Sequence, residues 1–304
     1  MSNAALRCTR PPPPRAPRRP LPEGACDSHA HVFGPSDRYP YATGTQYRPA
    51  DRAYFPPDVT VDDYVALLAA LGVRHAVLVQ PNIYGSDHRC LLNALARFNG
   101  GARGIGVVSM TASDEELRAL HQAGLRGVRF HGVGAHHMDA LRDFSARLSA
   151  MTWHIQIYAS LDWIAAHAAP LATLACPVVF DHFAGLQLDA PGVERDFQTL
   201  LRLVAEGPVW VKLSAPFRVM PRSPPYHALA GRARALADAA PHRLLWGSDW
   251  PYLRVAAPLP DGGDLLDALA EWLPHSDHLR AVLCDNPRTL YGLDDSESDG
   301  CAHQ

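Results

Sequence analysis

Ala25-Cys26-Asp27-Ser28-His29-Ala30-His31 begins apolar, runs for a few residues and ends in two histidines one residue apart. Side chains alternate across an extended strand, so His29 and His31 point to one side and Ala30 to the other. Brief apolar runs of the same form recur at residues 75–80, 104–109, 127–131, 154–158, 178–182, 209–214 and 244–249. Rich in Val, Ile and Phe and almost unbroken in apolar character, they read as parallel strands covered on both faces.

Segments of helical periodicity lie between them. After Thr60, Asp62 and Asp63 fall in a first turn, Tyr64, Leu67, Leu68 and Leu71 repeat at helical spacing, and Gly72 stops the run. Acidic side chains suit the positive end of the helix dipole, and glycine suits its C-terminus. Ser113 with Glu116 reads as a capping box ahead of Leu117 and Leu120, with Gly124 as the stop. Further helices are expected over 87–98, 138–151, 161–174, 193–205, 226–239, 264–273 and 277–284. Eight strand–helix units in one chain predict an α/β fold, a single-domain (β/α)8 TIM barrel over residues 25–293. An open dinucleotide-binding sheet lacks its signal, because no Gly-x-Gly-x-x-Gly follows the first strand.

Composition agrees with a folded chain. Hydrophobic residues at 47 % against charged residues at 19 % are enough to build a large core and too little charge for a disordered chain. A net charge of -3 provides no field for nucleic acid or an anionic membrane, so neither is expected as a partner. The six cysteines never form a Cys-x-x-Cys pair, which points to reduced thiols and a cytoplasmic setting. Residues 11–14 are all proline and Arg15, Arg18 and Arg19 follow, without the apolar run of about 7–15 residues that a secretory signal carries. Residues 1–24 are therefore expected to be a disordered Pro/Arg-rich arm, and residues 294–304 a flexible acidic tail. No apolar stretch approaches the roughly 18 residues of a membrane span.

In a barrel of this kind catalytic groups project from the C-terminal ends of the strands. The first strand ends in His29 and His31, the fourth in Arg129 and His131, the fifth in Tyr158, and the sixth in Asp181-His182. The seventh ends in Lys212 to Ser214 and the eighth in Ser248-Asp249. Each alone has an ordinary reading: a strand-end histidine can be a satisfied structural residue, and Asp249 can cap a turn. Falling together in one layer, His29, His31, His182 and Asp249 are the candidate catalytic set.

These residues sit in longer stretches: Cys26-Asp27-Ser28-His29-Ala30-His31-Val32-Phe33-Gly34-Pro35, Val79-Gln80, Gly127-Val128-Arg129-Phe130, Asp181-His182, Trp210-Val211-Lys212-Leu213-Ser214, Leu245-Trp246-Gly247-Ser248-Asp249-Trp250-Pro251 and Asp285-Asn286-Pro287. In that order the chain resembles the amidohydrolase superfamily of the amidohydrolase-2 type, and within it the 2-pyrone-4,6-dicarboxylate lactonase branch. The resemblance implies a hydrolase of the carboxylic-ester class that opens a lactone of a small carboxylated or sugar-derived acid. Asp249 would take a proton from the attacking water while His29, His31 and His182 face the carbonyl oxygen. Arg129 and Arg218 match arginines that grip substrate, and Tyr47 and Tyr158 match tyrosines that contact it.

The chain departs from the branch where specificity is set. A further arginine after the fourth strand is replaced by the stretch His131-Gly132-Val133-Gly134-Ala135-His136-His137, and a serine after the second strand aligns with Asn82. One carboxylate clamp is thus weakened or lost, so a lactone with one carboxylate, or a sugar-derived lactone, is expected in place of the pyrone dicarboxylate. Asn82 and His131 would tune that choice. Most metal-using members of the superfamily hold Zn2+ with the residues that match His29, His31 and Asp249. Many also place a metal-binding histidine at the end of the fifth strand, where this chain has Tyr158, and the lactonase branch with that tyrosine works without a divalent metal. No metal is therefore expected to be required. The alternatives are a Zn2+-dependent amidohydrolase or decarboxylase using His29, His31 and Asp249, and a barrel that only binds.

Overall fold

The computed structural model describes residues 8–42, 58–131, 134, 137–220, 226–255 and 257–293. The apolar runs pair side by side as eight parallel strands in sequence order. They are β1 Cys26–Ala30, β2 His75–Val79, β3 Ala102–Gly106, β4 Leu125–His131, β5 His154–Tyr158, β6 Val178–Phe180, β7 Val209–Ser214 and β8 Leu244–Gly247. Beyond β8, Asp249 N donates to His29 O and His31 N donates to Trp250 O, each at 2.8 Å, which closes the sheet into a barrel.

Strand register decides which side chains face inward. Gly127, Arg129 and His131 lie beside His154, Gln156 and Tyr158, and Gln156 lies beside Val179. Val179 pairs with Trp210, and Lys212 with Leu245. Cys26, Val77, Val79, Ile105, Val179 and Leu245 form a small inner core, closed off by Leu290 and Tyr291. The larger core lies between the strands and the helices. On β1 the register shifts between Asp27 and Ala30. A bulge of this kind resets the alternation: Cys26 belongs to the inner core and Ala30 to the outer one. His29 and His31 thereby reach the interior that strict alternation from Cys26 would give to Ser28 and Ala30.

The surrounding helices are α1 Val61–Leu71, α2 Arg89–Ala96, α3 Asp114–Gln122, α4 Met138–Ser149, α5 Leu161–Ala166, α6 Ala168–Ala172, α7 Val193–Glu206, α8 Pro216–Val219, α9 Ala230–Ala239, α10 Gly262–Trp272, α11 Ser276–Arg280 and α12 Asn286–Tyr291. Helix α1 starts at Thr60 with a capping box to Asp63, buries Tyr64, Leu67, Leu68 and Leu71, and ends at Gly72 with φ 71°. Ser113 accepts from Glu116 N at 3.1 Å to start α3.

Some elements differ from the sequence reading. The single helix expected over 161–174 breaks at His167, with φ -109° and ψ 19°; Pro170 has no N–H for the carbonyl of Ala166 and crowds it. The helix expected over 277–284 is α11 followed by a π-turn at Ala281–Asp285 that runs into α12. Strand β3 lies two residues earlier than expected because Ala102 pairs with Ala76, a pairing that the flanking Gly100-Gly101 hides in the sequence. Within residues 8–24, expected to belong to a disordered arm, Arg15 and Arg18 pair with carboxylates of α10 and Arg10 with Asp63 of α1. Arg15 N donates to Asp261 Oδ2 at 2.9 Å, and its guanidinium reaches Asp264 and Asp267 at 2.5 and 2.6 Å. A Cβ at Gly263 would meet Arg15 O at 2.4 Å, so backbone rests on backbone there. The carboxylates that hold Arg15 lie 246 to 252 positions away, out of reach of a local reading. Residues 294–304, the expected acidic tail, lie outside the described residues. Among the described residues no helix is long and apolar enough to cross a membrane, and Cys8, Cys26, Cys90, Cys176 and Cys284 are free thiols.

Candidate active site

His29, His31, His182 and Asp249 are all buried, and they converge at the C-terminal mouth of the barrel. Asp249 Oδ1 lies 3.6 Å from His29 Nε2, 3.7 Å from His31 Nε2 and 3.7 Å from His182 Nε2. His29 Nε2 and His31 Nε2 are 3.3 Å apart. Each ring is held from behind: His31 Nδ1 by Val79 O at 2.8 Å, His182 Nδ1 by Ser214 Oγ at 2.9 Å, and His29 Nδ1 by Lys212 Nζ at 3.3 Å. The backbone turns at the two strand ends that deliver the last members of the set. His182 has φ 52° and Asp249 φ 59°, a left-handed conformation that costs a non-glycine residue about 1–3 kcal/mol.

Gly247 lets β8 approach β1 closely enough for this convergence. A Cβ there would meet His29 Cβ at 2.5 Å and His29 N at 2.8 Å, both on a buried strand that cannot swing away. Gly247→Ala is expected to destabilise the fold by about 1–3 kcal/mol through overpacking. Urea unfolding checks this, and an unchanged midpoint would contradict so close a strand approach.

Beneath the mouth lies an ionic layer of which the sequence reading assigned only Arg129 to the site. Asp181 Oδ2 accepts from Arg129 Nε and from Gln156 Nε2, each at 3.1 Å. Lys212 Nζ donates to Ser28 O and to Gln156 Oε1, each at 2.8 Å, and lies 3.7 Å from Asp181 Oδ1. Asp27 ties the two catalytic strand ends together. It accepts from Ser248 N at 2.9 Å, Ser248 Oγ at 2.6 Å and His29 N at 3.1 Å. A signal for this layer existed, since Lys and Asp are seldom fully buried unless paired, yet Lys212 stands inside Val-Trp-Val-Lys-Leu-Ser.

Burial sets the charges of the upper layer. It pushes the pKa values of His29 and His31 down and that of His182 down to about 3, so all three imidazoles are neutral at pH 7. Burial works to raise Asp249, but Arg218 and the three imidazoles outweigh it and hold the carboxyl below the usual carboxylate range. Arg218 Nε and Nη2 both lie 2.7 Å from Asp249 Oδ2, and Nη2 also donates to Leu253 O at 3.1 Å. Asp249 therefore has one capped oxygen and one that faces the histidines.

The expected substrate contacts are distributed around the mouth. Tyr158 is 40 % exposed and its ring lies 5.7 Å from that of His182 and 5.6 Å from that of His131, which is itself exposed. Asn82 opens the turn Asn82–Tyr84 that follows β2. Arg129 and Arg218, read as substrate grips, are both paired with carboxylates, Asp181 and Asp249. Among the described residues, Arg129 leaves its two Nη nitrogens without a hydrogen bond while Nε holds Asp181. Tyr47 lies outside the described residues. Two groups have ligand atoms close enough to hold a metal ion: His29, His31 and Asp249, and His29, Asp181 and His182.

A (β/α)8 barrel with two histidines one residue apart at the end of β1 and an aspartate after β8 is the architecture of an amidohydrolase. The chain belongs to the amidohydrolase family, whose model matches residues 26–293. A 4-sulfomuconolactone hydrolase of Rhizobium radiobacter is 34 % identical over 280 residues, covering 90 % of this chain and 91 % of the relative. A 2-pyrone-4,6-dicarboxylate hydrolase of Comamonas testosteroni is 32 % identical over 291 residues, covering 91 % and 93 %. Among solved structures, an Agrobacterium tumefaciens protein superposes with a TM-score of 0.77 at 26 % identity, covering 91 % of this chain and 99 % of that one.

Proposed function

We propose that this chain is a lactone hydrolase with Asp249 as the general base. The observation that carries the reading is the divided carboxylate, with Oδ2 fixed by Arg218 and Oδ1 facing three imidazoles at 3.6–3.7 Å. A water held at Oδ1 gives up a proton to it as its oxygen attacks the lactone carbonyl carbon. Imidazole N–H groups at the mouth stabilise the tetrahedral oxyanion, which collapses as the ring C–O bond breaks. The departing ring oxygen takes the proton back, so the product is the open-chain hydroxy acid. The hydrolase names of both relatives, each for a lactone, support this chemistry.

The substrate we favour carries a single anionic group, or hydroxyls in its place. Arg129 offers a free pair of Nη nitrogens to one carboxylate, Tyr158 supplies an exposed ring, and Asn82 and His131 line the approach as polar contacts. The five described cysteines are all free, which supports the cytoplasm as the enzyme's place.

The donor atoms of His29, His31 and Asp249 fit a divalent ion by position, but the charges around them do not. Buried Lys212 and Arg129, with half-buried Arg218, already match at most three buried carboxylates, Asp27, Asp181 and Asp249. A doubly charged ion would add positive charge with no buried counter-charge to meet it. The mechanism is therefore read through protein groups alone. The competing reading, a Zn2+-dependent amidohydrolase or decarboxylase, draws on the same close approach of donor atoms. One experiment addresses both questions: hydrolysis rates across mono- and dicarboxylate lactones, before and after treatment with a chelator. Activity is expected to survive chelation and to favour the monocarboxylates. Preference for the dicarboxylate overturns the specificity, and loss of activity restored by zinc overturns the metal-free mechanism.

A further inference from the structure

We infer that Lys212 is a positioning residue that locks His29 in its Nε2–H tautomer, so that His29 presents a proton and not a lone pair to the active-site cavity. Lys212 is fully buried on β7, beneath the mouth. Its Nζ meets three acceptors: Ser28 O at 2.8 Å, Gln156 Oε1 at 2.8 Å and His29 Nδ1 at 3.3 Å. An ammonium has three N–H donors and no lone pair, so the contact with His29 has one polarity, Lys212 donating and Nδ1 accepting.

The rest of the chain of contacts agrees. An imidazole that accepts at Nδ1 carries its proton on Nε2 when neutral. His29 Nε2 lies 3.3 Å from His31 Nε2, and one of the two must donate. His31 Nδ1 is 2.8 Å from Val79 O, which can only accept, so His31 keeps its proton on Nδ1 and offers a lone pair at Nε2. One direction then runs consistently from Lys212 through His29 and His31 to Val79 O. The rival donor assignment for His29 would use Asp181 Oδ1, 3.1 Å from Nδ1. That oxygen lies near the ring but is left without a hydrogen bond.

Two consequences follow for a lactone hydrolase. His29 is a ready-made N–H donor for the oxyanion, needing no protonation. It is also a poor metal ligand, because a metal needs the Nε2 lone pair that the proton occupies, and the Lys212 charge behind the ring adds to the penalty. The inference deepens the metal-free reading, but its test uses no substrate, so it stands or falls apart from the lactonase assignment.

The test begins with long-range proton–nitrogen correlation spectra of protein labelled with 15N-histidine, His29 being assigned by its loss in His29→Gln. Wild-type protein is expected to show His29 as Nε2–H and His31 as Nδ1–H. Lys212→Met keeps the length of the side chain and removes charge and donors. It is expected to switch His29 to Nδ1–H and to tighten zinc binding, read by competition with a chromogenic chelator, by about tenfold or more. An Nδ1–H form of His29 in the wild type overturns the inference, as does a zinc affinity in the variant within about twofold of wild type. If Lys212→Met fails to fold, the wild-type spectrum decides alone.

Discussion

Asp249→Asn is expected to lower kcat for lactone hydrolysis by about 1,000-fold, inside the range of about 100- to 10,000-fold that a positioned general base contributes. The substitution is close in shape and spares the rest of the site. The amide oxygen can still accept from Arg218 Nε and Nη2, which hold the Oδ2 position at 2.7 Å in the wild type. The amide nitrogen then takes the place of Oδ1 and faces the imidazoles without an acceptor for the proton of water. Binding is expected to persist, because the groups proposed to hold the substrate, Arg129 and Tyr158, are untouched. Stopped turnover with retained binding of a lactone or product, measured by calorimetry, is the signature. Turnover within about tenfold of wild type would remove Asp249 from the role of base. The direction of its pKa shift adds a second expectation: the carboxyl is held below the usual carboxylate range by Arg218 and the imidazoles against the pull of burial. The base therefore remains ionised on the acid side of neutrality, and the acid limb of kcat/KM should lie below pH about 4.

What the sequence revealed and what it hid divide along one physical line. His29, His31, His182 and Asp249 were legible because each ends a strand, and a closed barrel gathers strand ends whatever the details of packing. The inward layer beneath them depends on register, which no local pattern records. Lys212 meets Gln156 and Ser28, residues 56 and 184 positions away, and only the pairing of β5 through β8 with the closure of the sheet onto β1 makes them neighbours. The bulge in β1 is a case in the other direction. Simple alternation gave the right side for His29 and His31 relative to each other, but not relative to Cys26, because the register slips between Asp27 and Ala30. Arg129 and Arg218 show the limit for roles: the sequence offered two arginines to the substrate, and the fold pairs both with carboxylates of the site itself. The docking of Arg15 on α10 was hidden for the same reason, since its partners lie at the far end of the chain.

Asp181→Asn is expected to cost about 3–5 kcal/mol of stability, the range for removing one partner of a buried ionic group. Asp181 is fully buried and faces Arg129 Nε at 3.1 Å and Lys212 Nζ at 3.7 Å. Neutralising it leaves two buried cations without that counter-charge. Lys212 can shed its proton, since burial already lowers its pKa to about 8, but Arg129 has no such exit. The pH dependence follows with a definite sign. Burial works to raise the Asp181 carboxyl, while His29 (charged only in acid), Arg129 and Lys212 outweigh it and hold it well below the ordinary value. A carboxyl depressed in the folded state contributes stability that is present above its unfolded pKa of about 3.9 and is lost as pH falls through the folded value. Wild-type protein should therefore lose stability steeply below pH about 4, and Asp181→Asn should lose less over the same interval, so that the two curves approach each other in acid. Asp249 keeps some slope in both, because its carboxyl is depressed in the same direction. Urea unfolding followed by tryptophan fluorescence across a pH series measures the difference. A loss under about 1 kcal/mol at pH 7 would mean that Arg129 and Lys212 do not depend on Asp181 for their burial, and parallel curves down to acid pH would mean that Asp181 is not the carboxylate that binds them.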